Sequence, residues 1–284
     1  MRARGAALLL VIWLIALLTA LVGGFALAAR IEHMQGLVLS RGVVAGQAAR
    51  AGVEYGLSRV SARESTLRWL ADGRRYRWRF ADVDVEVRIT DEVGKVDLNA
   101  AGATLLAGLF RAVGSEPDAA TRIASAIVDW RDQDLLTQPQ GGAEDPEYAA
   151  AGRHYGAKDA PFETVAELEQ VLGMTPQLFA KVVQYLTVYT GRGEPDTTVA
   201  PAPVLTAMGL DGPALVAARQ RPMDGAAGIG GLVGGDGGTY SVESRAHLRE
   251  GREVIVRSVV RQGGNGLPGS AYTTLDWQEG AATR

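Results

Sequence analysis

The feature that most limits what this chain can become lies at its start. Residues Ala6 to Ala29 carry no charge, and the run is framed by Arg2 and Arg4 on one side and Arg30 on the other. About 20 consecutive apolar residues suffice to cross the hydrocarbon core of a bilayer as a helix. The arginines ahead of the run hold that end in the cytoplasm by the positive-inside bias, so everything after Arg30 is expected outside, in a bacterium the periplasm. A secretory signal peptide is shorter and ends at a small-residue cleavage site. Ala26-Leu27-Ala28 offers such a site, but the apolar run is too long for that reading. A permanent anchor and a head processed at Gly5, the residue between the basic leader and the apolar run, are the other two readings.

Beyond the run, the chain reads as one continuous helix to about Leu70. No proline, the strongest helix breaker, occurs before Pro117. Ile31, Met34, Val38, Val44, Ala48, Val53, Leu57 and Val60 supply a loosely helical apolar stripe, with Arg41, Arg50, Glu54 and Arg59 on the wet face. Gly36, Gly42, Gly46, Gly52 and Gly56 weaken such a helix by up to about 1 kcal/mol each, unless they admit close packing. The period then changes to two. Tyr76, Trp78 and Phe80 alternate with arginines, and Val83, Val85, Val87 and Ile89 alternate with acids and Arg88, predicting antiparallel strands that turn near Ala81-Asp82.

From Asp97 the pattern is helical again: Leu98 to Val113 with an asparagine cap at Asn99, Pro117 to Trp130, Val165 to Val171, and Thr175 through Tyr189. Asn99 to Leu105 is echoed weakly by Val199 to Leu205. A second hairpin is predicted from Tyr240–Leu248 and Glu253–Arg261, and the glycine cluster from Gly225 to Gly238 reads as a loop. Strands on either side of a long helical insertion can still pair, because closure entropy grows slowly with loop length.

The words Arg4-Gly5-Ala6-Ala7-Leu8-Leu9-Leu10-Val11-Ile12-Trp13-Leu14, Gly94-Lys95-Val96-Asp97-Leu98-Asn99, Asp129-Trp130-Arg131-Asp132 and Gly142-Ala143-Glu144-Asp145-Pro146-Glu147-Tyr148 resemble the K-type minor pseudopilins of the type II secretion system. The resemblance covers most of the chain. It leaves the glycine-rich insert and the tail after Gln262 unmatched.

It implies an α+β fold, a pilin-like long N-terminal helix packed on a small antiparallel sheet, with a large all-α domain inserted into the sheet. The expected divisions are a leader over 1–5, a transmembrane helix over 6–29, a pilin-like domain over 30–96 and 236–284, an α-domain over 97–225 and a glycine-rich loop over 226–235. It implies cutting by a prepilin peptidase after Gly5, leaving Ala6 as the new terminus. Most pilin-like proteins carry a glutamate as the fifth mature residue, which pairs with the terminal amine of a neighbour. This chain has Leu10 there, as in the K-type subunit that caps the pseudopilus. The implied partners are the I-type and J-type minor pseudopilins, the peptidase, the inner membrane and, at the tip, secreted substrates.

Among chemical sites, the densest candidate is the acidic group Asp129, Asp132, Asp134, Glu144, Asp145 and Glu147, interrupted by a single basic residue, Arg131. Like charges so crowded need solvent or a cation. Hard oxygen donors on a glycine-bearing loop suit Ca²⁺ better than Zn²⁺, although the spacing is not that of an EF-hand. From composition alone a solvated acidic loop explains the cluster as well. The resemblance implies calcium, held by Asp129, Asp132, Asp134, Glu144 and Asp145 in a structural role.

With no cysteine and three scattered histidines (His33, His154, His247), thiolate chemistry is excluded and a histidine zinc site is disfavoured. A net charge of −3 gives no footprint for nucleic acid, and the helical block, which looks like helix-hairpin-helix repeats around Val171-Leu172-Gly173-Met174, has only Lys158 and Lys181 to offer a phosphate. No nucleophile elbow or tuned acid–base pair is evident, so no enzymatic activity is expected. The competing reading is a membrane-anchored periplasmic binding protein or enzyme unrelated to pilins.

Overall fold

A computed structural model describes residues 3–62, 64, 66–220, 238–248, 251, 253–263 and 272–281. The loop expected over 226–235 therefore lies outside the described residues. The first element is a single helix, α1, Ala3–Val60, of 58 residues, about 87 Å long at 1.5 Å per residue. Its apolar first half is exposed on every described side, from Leu8 to Ile31, and is long and apolar enough to cross a membrane.

The second half of α1 lies on a sheet, and small residues permit the approach. Ala45, Ala48, Ala49, Val53 and Leu57 are buried against Val83, Val85, Val87 and Ile89 and against Tyr240, Val242, Ala246, Val256 and Val260. Gly52 and Gly56 face the same strands. A Cβ on Gly52 would overlap the Ser244 hydroxyl and lie 2.8 Å from Val85 Cγ1, and one on Gly56 would lie 3.0 Å from Val87 Cγ1. Two of the five glycines that cost the helix propensity are thus ones that let it touch the sheet.

The helix ends at Val60, short of Leu70. The reason is aromatic: Trp69 stacks on Tyr76 at 4.3 Å and Tyr55 on Trp78 at 4.4 Å, so the chain must double back before the first strand. The Arg59 guanidinium lies over the Tyr55 and Trp69 rings.

Five antiparallel strands follow, β1 (Asp72–Phe80), β2 (Val83–Asp91), β5 (Thr239–His247), β6 (Glu253–Gln262) and β7 (Tyr272–Ala281), in that spatial order. Both predicted hairpins are present, with Ala81 in the left-handed region (φ 50°) at the first turn. The strand β7, in the tail that the sequence left unmatched, pairs with β6 and reaches back to the helix. Its Glu279 takes both a 2.7 Å and a 2.9 Å bond from Arg50, and its Tyr272 hydroxyl meets Glu54.

Between β2 and β5 lies a second core built from the α2 (Ala103–Ala112), α3 (Pro117–Arg131), α4 (Asp145–Ala150), α5 (Pro176–Val182), α6 (Ala202–Ala207) and α7 (Gly212–Gln220) helices. Two short strands, β3 (Val96–Asp97) and β4 (Leu186–Thr187), pair in parallel beside it. The Asp97 carboxylate makes this junction by accepting from Asn99 N, Thr190 N, Thr190 Oγ1 and Gly191 N at 2.8–2.9 Å. Two expectations change as a result.

Asn99 does not cap α2, which starts after Gly102. Its side chain instead donates to Phe162 O and accepts from Phe162 N. The helix expected to reach Tyr189 stops at Val182 and passes through a 3-10 turn into β4, because pairing with β3 demands extended backbone there.

The internal echo is structural, one residue out of the register that the sequence suggested. Asp97 and Asp196 each fold a turn by accepting from the backbone N–H two residues on, at 2.8 Å, and each turn leads into a helix, α2 at Ala103 and α6 at Ala202. The two helices meet where a Cβ on Gly108 would lie 2.7 Å from the Ala207 carbonyl oxygen.

The domains meet at a buried knot. Lys95 Nζ lies 2.5 Å from Glu92 Oε1 and 2.8 Å from Ser241 Oγ on β5, while Gly94 packs against the Val199–Ala200 backbone.

Candidate metal centre

Helix α3 delivers Asp129 to the interior of the α-domain, fully buried. Its carboxylate shapes the loop that follows, accepting from Ala143 N at 2.7 Å and from Gln138 N at 3.2 Å. Gly142 must be glycine here, because a Cβ would overlap that same carboxylate. The loop therefore turns around Asp129 and returns Glu144 beside the end of α3. Meanwhile Glu147 Oε2 accepts from Glu144 N at 2.9 Å and starts α4.

This folding brings ligand atoms of Asp132, Asp134 and Glu144 within 4.8 Å of one another. Glu144 is only 3% exposed, yet neither of its carboxylate oxygens has a hydrogen-bond partner, and Asp132 Oδ1 is buried and unpartnered too. Burial, reinforced by Asp129, Asp159, Asp132 and Asp134, pushes Glu144 up to about 7. Burial first, then Asp134, also raises Asp132. Arg131 gives Asp132 only partial relief, because its guanidinium hydrogen-bonds to the Leu98 and Ala101 carbonyls.

Buried, orphaned carboxylate oxygens from Asp132 and Glu144, with the exposed Asp134 beside them, are a donor set that fits a hard divalent cation. Three of the five sequence candidates, Asp132, Asp134 and Glu144, thus converge. Asp129 spends its oxygens on backbone N–H groups, and Asp145, at the first turn of α4, sets Oδ1 against Gly156. Asp159, outside the acidic run, adds to the repulsion on Glu144. The loop carries Leu135 and Leu136 outward, each 75% exposed.

The head of the chain is less specific in geometry. Leu10 is exposed at 66% on the free part of α1, while Gly5 and Ala6 lie in that helix with side chains outside the described residues.

Residues 88–191, the stretch from the end of β2 through β4 that contains the whole acidic centre, match the family described as Type II secretion system (T2SS), protein K. Over that stretch the chain is similar to the protein K family.

Two curated proteins agree. The type II secretion system protein K of Klebsiella pneumoniae is 30% identical over 132 residues, covering 42% of this chain and 39% of that protein. That of Pectobacterium carotovorum subsp. carotovorum is 32% identical over 78 residues, covering 28% and 24%. The aligned span is thus about two fifths of the first relative's length and a quarter of the second's. In fold the likeness runs further. A chain from the crystal structure of the GspK-GspI-GspJ complex of the enterotoxigenic Escherichia coli type 2 secretion system superposes with a TM-score of 0.57 at 17% identity, covering 89% of this chain and 99% of that one. The fold of this chain is therefore α+β and pilin-like, a long N-terminal helix on an antiparallel sheet with helices inserted between β2 and β5, as the sequence resemblance implied.

Proposed function

We propose that this chain is a minor pseudopilin that sits at the tip of the type II secretion pseudopilus, starting and capping the fibre that exports folded proteins. The reading is carried by one observation: α1 is a single 58-residue helix whose apolar half stands free while its other half is cemented to a sheet. A helix exposed on all sides over its apolar length needs either lipid or other apolar helices. In this reading it has both in turn, bilayer before assembly and neighbouring pseudopilin helices after it. The I- and J-type subunits are the proposed neighbours, in keeping with the complex in which the structural relative was solved.

In this reading the absence of an acid at Leu10 leaves no pairing with a terminal amine above it, and the α-domain would block addition from its side. Topology follows the arginines: Arg2 and Arg4 cytoplasmic, the domains after Arg30 periplasmic. Within the α-domain, Asp132, Asp134 and Glu144 would hold Ca²⁺, with Asp129 shaping their loop. A bound cation cross-links the end of α3 to the start of α4 across a segment with little apolar content of its own. The chain's own work in this reading is assembly, with no chemical step.

The test is intact mass of the membrane-extracted protein, made with and without a prepilin peptidase. Loss of Met1 through Gly5, seen only with the peptidase, is expected. Gly5→Leu should abolish both that cut and secretion. A full-length mass in both cases would favour the anchored periplasmic protein of unrelated activity.

A further inference from the structure

Strand β1 stands at one end of the sheet and pairs with β2 along one side only. A strand in that position offers a row of backbone groups to an extended chain that comes alongside. Its two faces differ. Toward α1 it turns Tyr76, Trp78 and Phe80, and Tyr55 of the helix stacks on Trp78 at 4.4 Å. This aromatic row is not closed over, since Phe80 is 39% exposed and Trp78 only half-buried. Toward the opposite face β1 turns Arg75, Arg77 and Arg79, all exposed.

The sheet satisfies those arginines only in part. Arg75 Nη1 lies 3.2 Å from Glu86 Oε1. Arg77 stands opposite the same Glu86 in the register, and among the described residues its side chain has no hydrogen bond or ion pair. Arg79 comes no nearer to Asp82 and Asp84 than 3.8 and 3.9 Å. A row of like charge at a sheet edge can serve to repel other strands. Repulsion needs no aromatic row on the other face, however, and here an added strand would cover Phe80 and Trp78 while meeting the arginines. Strand β2 shows what fits. On its side of β1 it sets Asp84 opposite Arg79 and Glu86 opposite Arg77, with Val83, Val85 and Val87 opposite Phe80, Trp78 and Tyr76.

We propose that the free side of β1 is a docking edge for an extended segment of another protein in which acidic and apolar residues alternate. The segment adds a sixth strand to the sheet. Its acids lie beside Arg75, Arg77 and Arg79, and its apolar side chains continue the row formed by Trp78 and Phe80. Backbone pairing supplies the affinity, and the alternation selects the partner. The edge belongs to the folded head, so this contact is separate from the helix packing proposed for the apolar half of α1 and does not depend on it.

The test uses the full chain in detergent and a fluorescein-labelled peptide, Thr-Val-Glu-Val-Glu-Val-Glu-Val-Thr, followed by anisotropy. The peptide should bind saturably, and about tenfold more weakly when salt is raised from roughly 50 mM to 500 mM, because exposed ion pairs are screened. A peptide of the same composition with its valines and glutamates in separate blocks should bind at least about tenfold more weakly, having lost the cross-strand matches. The alternating peptide N-methylated through its central residues keeps every charge and loses its backbone donors, and it should not bind. Arg77→Thr, which keeps a strand-forming residue and disturbs no ion pair, should weaken binding about two- to fivefold, the size of one cross-strand charge pair. Arg77→Lys should retain most of the affinity. No binding of the alternating peptide at low salt would overturn the proposal and leave the arginines as a guard. Equal binding of the N-methylated peptide would overturn it as adhesion by charge alone, and so would an affinity unchanged in Arg77→Thr.

Discussion

The contact between α1 and the sheet makes the same substitution act with opposite sign at two places in one helix. At Gly46 a new Cβ meets nothing within 4 Å, so Gly46→Ala gains only helix propensity, about 1 kcal/mol. At Gly52 the same methyl collides with the Ser244 hydroxyl and sits 2.8 Å from Val85 Cγ1. Overpacking a tight interface costs about 1–3 kcal/mol. The propensity gain of about 1 kcal/mol is still present at Gly52. Gly52→Ala should therefore be destabilising by up to about 2 kcal/mol, the upper cost less that gain.

In a head of this size each kcal/mol moves the midpoint by about 2–4 °C. Gly46→Ala should then melt about 2–4 °C higher, and Gly52→Ala lower by up to about 8 °C. Thermal melts of the detergent-solubilised full chain can be followed through Trp78, which stacks on Tyr55 of the same helix. If Gly52→Ala melts with or above Gly46→Ala, the helix does not lie on β2 and β5 as closely as described, and the packing argument fails.

Two further outcomes concern charge and metal. Burial, against the opposing bond from Val93 N and with repulsion from Glu92 and Asp196, pushes Asp91 up to about 6 from 3.8. A carboxyl whose folded pKa is raised contributes stability fully below its unfolded pKa and loses it as pH rises through its folded one. Asp91→Asn, which keeps an acceptor for Val93 N, should therefore leave stability unchanged at pH 4 and raise it at pH 7.5, by roughly 3 kcal/mol at most; denaturant titration at the two pH values, calcium held constant, checks this, and equal effects at both would refute it. Chelation should lower the melting midpoint of the α-domain, since an ion at a hundred times its dissociation constant contributes about 2.7 kcal/mol. An unchanged melt, with no calcium by elemental analysis, would count against the centre.

Local patterns in the sequence carried the hairpins, because alternation through Val83, Val85, Val87 and Ile89 places one face inward however the rest of the chain folds. They carried α3 as well, where Pro117 supplies its own start signal. What stayed hidden was set by partners distant along the chain. Asn99 has every property of a cap, yet is taken by Phe162, 63 residues away. The residues after Val182 look helical until Asp97, 93 residues before Thr190, fixes the β3–β4 junction. At the acidic centre, crowding of like charges was visible in order along the chain and found Asp132, Asp134 and Glu144. It could not discount Asp129, whose oxygens are occupied by backbone amides that composition does not reveal.

The undivided helix also fixes a height. The sheet first buries α1 at Ala45, whereas the uncharged run ends at Ala29. With that run in a bilayer, the intervening turns, at 1.5 Å per residue, would hold the folded head about 20 Å clear of its surface. Among the described residues, α1 is largely exposed over that interval, a rod about 10 Å wide. The head is thus carried on a stalk, beneath which neighbouring helices can gather before any two heads touch. Lateral crowding at the membrane and contact between heads become separate events, ordered by the length of a helix.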